Sequence, residues 1–180
     1  MLKITVPATE YFDETKQLFV NIPEETLLLE HSLYTISKWE SKWHKAFLSK
    51  KEKTTEEVND YIRCMTMNEK VNPMVYLGLT AENHKQIEDY LEAKMTATYL
   101  PEHKEEKKSG DTTTAELIYY WMVSLQIPFE CQHWHINRLL TLIQVCNIKN
   151  QPPKKRSRGE MMRHRSALNA QRRARHNTRG

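Results

Sequence analysis

The chain has 180 residues, of which 39% are hydrophobic and 28% are charged, so it can form one hydrophobic core but not several large domains. Its net charge of +4 hides an uneven distribution: the first 150 residues hold 17 basic and 22 acidic residues, whereas the last 30 hold ten basic residues and one acidic residue. Four glycines are too few for a glycine-rich nucleotide-binding loop or an all-β fold, and three cysteines without framework spacing indicate reduced thiols rather than a disulfide scaffold.

The first 31 residues predict a small antiparallel sheet. Leu2, Ile4 and Val6 alternate with polar residues, which is typical of a half-buried strand, and Pro7 ends that strand. A polar turn at residues 13–16 then leads into a returning strand at residues 17–22, so we expect a β-hairpin. Residues 26–31 could begin a helix early, but their composition favours a third strand.

From Ser32 the apolar spacing changes to three or four residues, which predicts a helical body. Thr54 and Glu57 match the capping box that opens a second helix. A short helix is expected at residues 74–79, another helix from residue 80, an extended segment at residues 93–100 and a charged loop at residues 101–111. The first helix has one apolar face, formed by Leu33, Ile36, Trp39, Trp43 and Phe47.

Residues 115–127 are apolar on all sides, which is typical of a central buried helix. Residues 113–116 match a capping box before it, Pro128 ends it, and residues 129–148 predict a second long helix, so that the two form an αα-hairpin. We expect this hairpin to be the centre of the core. The expected core side chains are those of Leu117, Ile118, Trp121, Met122, Leu125, Leu139, Leu142 and Ile143.

The predicted fold is therefore α+β and mostly helical, with a small N-terminal antiparallel sheet packed on a helical body that contains the central αα-hairpin. Residues 1–150 form the globular domain, with the sheet in residues 1–31 and the helical body in residues 32–150. Pro152 and Pro153 mark the boundary to a basic, Arg-rich tail at residues 151–180, which is disordered alone or helical on binding a partner.

The chemistry-bearing residues do not predict an enzyme. Cys131, His133 and His135 are zinc-ligand types, but their spacing on a helix does not bring them together, so buried core residues are the favoured interpretation. Acidic residues such as Glu56 and Glu57 are expected on solvated helix faces. We expect no catalytic residue, no cofactor and no metal.

Two surfaces are candidates for partner binding. Trp39 and Trp43 lie four residues apart on one helix face, which either packs on the central hairpin or forms an apolar partner surface. The tail could bind an acidic protein face or nucleic acid, or could serve only to keep the chain in solution. Its basic residues are Lys154, Lys155, Arg156, Arg158, Arg163, Arg165, Arg172, Arg173, Arg175 and Arg179.

Several segments resemble a family of small proteins encoded in the tail-morphogenesis region of tailed bacteriophages. They cover most of the chain, and no catalytic motif contributes to the resemblance. The segments are ITVPATEYFDE, HSLYTISKWESKWHKAFLSKKEKTTEEVNDYIRCMT, TAELIYYWMVSLQIPFECQHWHINRLLTLI and ALNAQRRARHNTRG.

The resemblance implies a non-enzymatic protein, similar to the tail assembly chaperones that bind the tape-measure protein during tail assembly. The alternatives are a nucleic-acid-binding protein that uses the Arg-rich tail and a minor structural protein of the virion. A homo-oligomer is compatible with each of these functions. The expected location is the host bacterial cytoplasm, or the virion for a structural protein, because the sequence shows neither a signal peptide nor a membrane-spanning run.

Overall fold

A computed structural model describes residues 1–13, 17–99, 112–151 and 158–176, and it has the predicted α+β, mostly helical fold. The predicted loop at residues 101–111 and part of the turn at residues 13–16 lie outside the described residues. The strands are β1 (Leu2–Val6), β2 (Thr9–Asp13), β3 (Leu18–Ile22) and β4 (Glu25–Leu29). The α-helices are α1 (Leu33–Trp43), α2 (Thr55–Met65), α3 (Ala81–Glu92), α4 (Ala115–Ser124), α5 (Ile136–Asn150) and α6 (Arg158–His176), and two 3-10 helices span Pro73–Gly78 and Phe129–His133.

The strands form two separate antiparallel pairs rather than the predicted hairpin of β1 with residues 17–22. β1 pairs with β4, so that Leu2 lies opposite Leu29, and β2 pairs with β3. The sequence prediction missed β2, and this changed the partner that it assigned to β1. The strand at residues 26–31 was predicted correctly, although it begins and ends slightly earlier.

The β1–β4 pair supplies one side of the core. Ile4, Val6, Leu27 and Leu29 are buried, whereas their neighbours in β1 face outward, as strand alternation requires. Asn68 completes the free edge of β4: its side chain accepts from the amide of Leu28 at 2.8 Å and donates to the carbonyl of Thr26 at 3.0 Å. The backbone of Met65 and Met67 also bonds to this edge, at Glu30 and Leu28, so the side chain of Asn68 extends a short backbone pairing.

Polar side chains fix where the helices begin. Ser32, Thr54 and Thr80 each form a capping box with the residue three positions later, and the box of Thr54 with Glu57 confirms the prediction. α4 is capped by Thr114, one residue later than the predicted box, and the Thr114 hydroxyl accepts from the amide of Leu117. Such caps satisfy amides that a helix leaves without partners at its first turn.

The centre of the fold is α1, not the predicted αα-hairpin. α1 packs against α2, α4 and the second 3-10 helix, and it buries Leu33, Ile36 and Trp39 completely. It ends at Trp43 because His44 adopts a left-handed conformation, so Phe47 does not continue the helix as predicted. Instead the chain turns back and places the Phe47 ring 5.2 Å from the Trp39 ring.

The predicted hairpin differs in two respects. Residues 129–148 are not one helix, because the Phe129–His133 3-10 helix precedes α5. Of the eight predicted core residues, Ile118, Met122, Leu139 and Ile143 are buried, whereas Leu117 is exposed and the other three are half-buried. α4 is therefore a peripheral helix that packs one face on α1.

The chain divides into two compact units, Met1–Asn147 and Ile148–Gly180. The first contains all four strands and the core described above. In the second, α6 is a 19-residue helix that ends with Arg173, Arg175 and His176. Cations in the last turn stabilise a helix because they lie beside the negative end of its dipole.

Candidate functional site

Trp39 and Trp43 do not form the apolar partner surface that one reading of the sequence predicted. Trp39 is only 1% exposed, and its indole N–H donates to the carbonyl of Glu57 at 2.9 Å. Trp43 is half-buried, and its indole N–H donates to the Asp60 carboxylate at 2.9 Å. Both rings pack towards α2. The prediction is wrong for Trp39, which has no exposed face for a partner, whereas Trp43 keeps part of its surface exposed.

Two buried carboxylates of α2 hold α1 in place rather than forming an acid–base pair. The hydrogen bond from Lys45, followed by one from the amide of Thr54, lowers the pKa of Glu57. Burial raises the pKa of Asp60, but hydrogen bonds from Lys42 at 2.5 Å and from Trp43 outweigh this effect and lower it. Glu57 is thus not on a solvated face as predicted, because its capping role turns it inward, whereas Glu56 is exposed.

A pair of buried histidines lies between β4 and α5. The rings of His31 and His135 are 5.0 Å apart in an edge-to-face arrangement. Nδ1 of His31 lies 2.6 Å from the Tyr61 hydroxyl, and Nε2 of His135 lies 3.0 Å from the carbonyl of Tyr90. Burial, with a smaller effect of His135, lowers the pKa of His31 from 6.5 to about 3, and burial also lowers the pKa of His135. Both rings are therefore neutral at pH 7 and serve the packing of the core.

The Cys131 to His135 segment does not gather its side chains around one point. The His133 ring lies at the surface, 5.3 Å from the Tyr34 ring and tilted against it, while His135 is buried in the core. Burial raises the pKa of the Cys131 thiol, which is the opposite of what a nucleophilic thiolate requires. Within the described residues, no group of three or more His, Cys, Asp or Glu side chains could hold a metal ion.

The outer face of α4 exposes apolar side chains. Three apolar side chains of this one helix are exposed: Leu117 by 39%, Tyr120 by 65% and Val123 by 59%. At about 100° per residue they share the side opposite Ile118 and Met122. Glu116, the only charged residue of α4, lies on the same side in the first turn and is exposed. We call Leu117, Tyr120 and Val123 the α4 outer face. α4 is therefore apolar on both sides although only one side is buried against α1.

The α4 outer face continues onto the second 3-10 helix. The exposed ring of Phe129 lies 6.5 Å from the ring of Tyr119, which is one helical turn from Val123. The Tyr119 hydroxyl of α4 donates a hydrogen bond of 2.9 Å to the side chain of Gln132, and this bond holds the second 3-10 helix against α4. Contiguous exposed apolar surface of this kind is typical of a binding site. The prediction that Leu117 lies in the core is wrong, because periodicity alone does not separate a fully enclosed helix from one with an exposed apolar side.

The β2–β3 hairpin carries a second exposed apolar group. Phe12 and Phe19 lie opposite each other in the register, with ring centroids 5.0 Å apart, and Tyr11 and Leu18 beside them are also exposed.

At the base of the hairpin, a Cβ at Gly78 would lie 3.1 Å from the Thr9 side chain and 3.2 Å from the Val6 side chain. A glycine at this position lets the first 3-10 helix approach the strands closely.

The basic residues of the predicted tail fall partly on α6. Arg163, Arg165, Arg172, Arg173 and Arg175 are all exposed on this helix, and Arg158 is its first residue. Lys154, Lys155, Arg156 and Arg179 lie outside the described residues. The structure has a helix over Arg158–His176, whereas the sequence predicted a tail that is disordered alone or helical on binding a partner.

Comparisons with protein-family models, with curated proteins and with solved structures each found no match. In the described part of the chain, no helix has the length and apolar character needed to cross a membrane.

Proposed function

We propose that the chain is a non-enzymatic bacteriophage tail morphogenesis protein that acts as a tail assembly chaperone for the tape-measure protein. The single observation that carries the protein-binding part of this proposal is the α4 outer face, which exposes Leu117, Tyr120 and Val123 on one side of a helix. The resemblance described above supplies the identity of the partner.

The chemistry of the face fits an amphipathic helix. A partner helix buries an apolar stripe formed by residues three and four positions apart, and a groove or face lined by aliphatic and aromatic side chains matches such a stripe. Tyr120 adds a hydroxyl that remains hydrated at the rim of such a contact, as interface tyrosines do. A tape-measure protein, as a long helix that exposes apolar surface before assembly, has the required chemistry.

The first unit supports the outer face with a rigid base. Ile118 and Met122, on the opposite side of α4, are completely buried, and α4 packs on α1. Binding would therefore cost little ordering of the helix itself, which favours affinity. The face can be altered by substitution without disturbing the residues that hold α4 in place.

The proposal is tested by co-expression with a tape-measure fragment from the genome that encodes this chain. The wild-type protein is expected to keep the fragment in the soluble fraction and to co-purify with it. Tyr120→Glu and Val123→Glu should each reduce the co-purified fragment at least tenfold, because a charge would be desolvated in an apolar contact.

Tyr99→Glu is the matched control, since Tyr99 is also a tyrosine and is 84% exposed but lies outside α4. It should co-purify with as much fragment as the wild type. Equal losses in all three variants, or no binding by the wild type, would overturn the proposal.

A second measurement separates a chaperone from the alternative of a minor virion protein. Mass spectrometry should detect the chain in infected-cell lysate but not in purified particles, because an assembly chaperone leaves the finished tail. Stoichiometric presence in purified particles would make the chain a structural component instead.

A further inference from the structure

The arginines of α6 are distributed around the helix rather than along one side. At about 100° per residue, Arg163, Arg165, Arg172, Arg173 and Arg175 cover an arc of roughly 240°. Among the described side chains, the remaining arc contains those of His164, Ala167, Gln171 and Ala174. Every described side chain from Met161 to His176 is exposed, so this arrangement is open to a ligand.

This distribution distinguishes two kinds of acidic partner. A helix that lies on an acidic protein surface needs its cations on one side, because the other side faces water. A helix that lies in the groove of a nucleic acid meets phosphates on two walls and bases at the floor, so cations are useful over most of its circumference. The residues of α6 have the second pattern.

We propose that α6 is a DNA-binding helix that lies in the major groove of duplex DNA. The groove of B-form DNA is about 12 Å wide and admits an α-helix, whereas the major groove of A-form RNA is too narrow and deep for side chains to read. The 19 residues of α6 extend over roughly 28 Å at 1.5 Å per residue, which is close to one turn of B-form DNA. This function is independent of the α4 outer face and goes beyond the proposed chaperone activity.

The middle of the arginine arc carries the residues that would face the bases. Arg165 and Asn169 are four residues apart and therefore neighbours on the helix surface, and Met162 lies beside them. Arginine pairs with the acceptors of guanine, and asparagine pairs with adenine. Arg163 and Arg175, at the two ends of the arc, would contact phosphates on opposite walls of the groove.

The test is fluorescence anisotropy with the full-length protein and a labelled 24-base-pair DNA duplex of mixed sequence. If the five described arginines contact phosphates or bases, the dissociation constant should rise by up to roughly 500-fold between 50 and 200 mM salt. Arg163→Gln combined with Arg175→Gln, which removes the two cations placed on the walls of the groove, should weaken binding at 50 mM salt and lower the slope of log affinity against log salt by about two. Asn169→Ala should leave that slope unchanged, but it should reduce the differences in affinity between duplexes of different sequence.

Lys51→Gln combined with Lys85→Gln is the matched control, because it removes the same charge from exposed positions of the first unit. The proposal requires this variant to bind duplex DNA as the wild type does. Equal losses in the two double variants, the absence of duplex binding at 50 mM salt, or tighter binding to duplex RNA of the same sequence would overturn it. Tighter binding to poly-glutamate than to duplex DNA would also overturn it and assign α6 to an acidic protein.

Discussion

The carboxylate of Glu40 on α1 accepts a hydrogen bond of 2.8 Å from the backbone amide of Ala115, the first residue of α4. Its other oxygen accepts from the amide of Phe47 at 2.7 Å, and Glu40 itself is buried. A negative charge at the start of a helix is favoured by the helix dipole and satisfies an amide without an intrahelical partner. One side chain therefore positions α4 and also fixes the segment that follows α1.

Glu40→Gln should lower the free energy of unfolding by about 2–3 kcal/mol. The amide side chain has nearly the same size but offers one acceptor oxygen, so one of the two backbone amides loses its partner in a buried site. Urea unfolding at pH 7 measures the effect. Glu88→Gln, at an exposed position of α3, is the control and should change stability by less than about 0.5 kcal/mol. Equal stability of the two variants would show that Glu40 does not hold α4.

Stability should fall as the pH decreases from about 6.5 towards 3 because of His31. The unfolded chain protonates this histidine near its ordinary pKa of 6.5, whereas the folded protein resists protonation until about pH 3. The unfolded state therefore binds more protons in this window, and the loss should reach about 2–3 kcal/mol at pH 4.5. Urea unfolding at pH 7 and pH 4.5 measures the difference.

His31→Gln should make that difference smaller, because the substituted side chain does not titrate. His84→Gln, on the exposed side of α3, should keep the wild-type difference. Glu57 and Asp60 affect stability only at lower pH: their depressed pKa values stabilise the fold above about pH 4, and this stabilisation is lost as the pH falls below it. An unchanged pH dependence in His31→Gln would contradict the prediction.

Two buried tyrosines should respond differently to removal of the hydroxyl group. The Tyr61 hydroxyl is hydrogen-bonded to Nδ1 of His31, so Tyr61→Phe should cost about 1–3 kcal/mol. The Tyr90 hydroxyl is buried and finds no hydrogen-bond partner among the described residues, so Tyr90→Phe should be neutral or stabilising. Thermal unfolding of the two variants compares them directly, and a larger loss in Tyr90→Phe would contradict this assignment.

The two tryptophans of α1 should differ in their importance for stability. Trp39→Phe removes the indole hydrogen bond to the carbonyl of Glu57 and opens space in the core, so it should cost about 2–4 kcal/mol. Trp43→Phe should cost about 1 kcal/mol, since Trp43 is half-buried and Asp60 keeps its hydrogen bond from Lys42. Unfolding followed by circular dichroism gives both values. A larger loss of stability in Trp43→Phe than in Trp39→Phe would contradict the buried position of Trp39.

Local signals in the sequence predicted several boundaries correctly. Thr54 with Glu57 identified the start of α2, and the change of period at Ser32 identified the start of α1, because capping depends on side chains within three residues. The end of α1 was not predictable in this way. His44 is not a glycine and gives no signal for a left-handed residue, and the segment after it is held by the hydrogen bond from the amide of Phe47 to the Glu40 carboxylate.

The candidate site was less predictable than the fold. Composition identified α6 as basic, but only the helical geometry shows that Arg163 and Arg175 lie on different sides of it. The aromatic and aliphatic residues of α4 were assigned to the core because burial is the usual fate of an apolar helix. Which face of α4 is enclosed depends on its packing with α1, a contact between segments about 75 residues apart.

The exposed α4 outer face has a consequence for genetic selection. Under the proposed function, a library of variants at Ile118 and Met122 should lose members whether it is sorted for folding in a laboratory host or for growth of a phage that depends on the chain, because both side chains are buried. A library at Tyr120 and Val123 should survive the sorting for folding and be depleted only by the sorting for growth. The comparison of the two survivor populations would then separate the codons that maintain the protein from those that maintain its association with a partner.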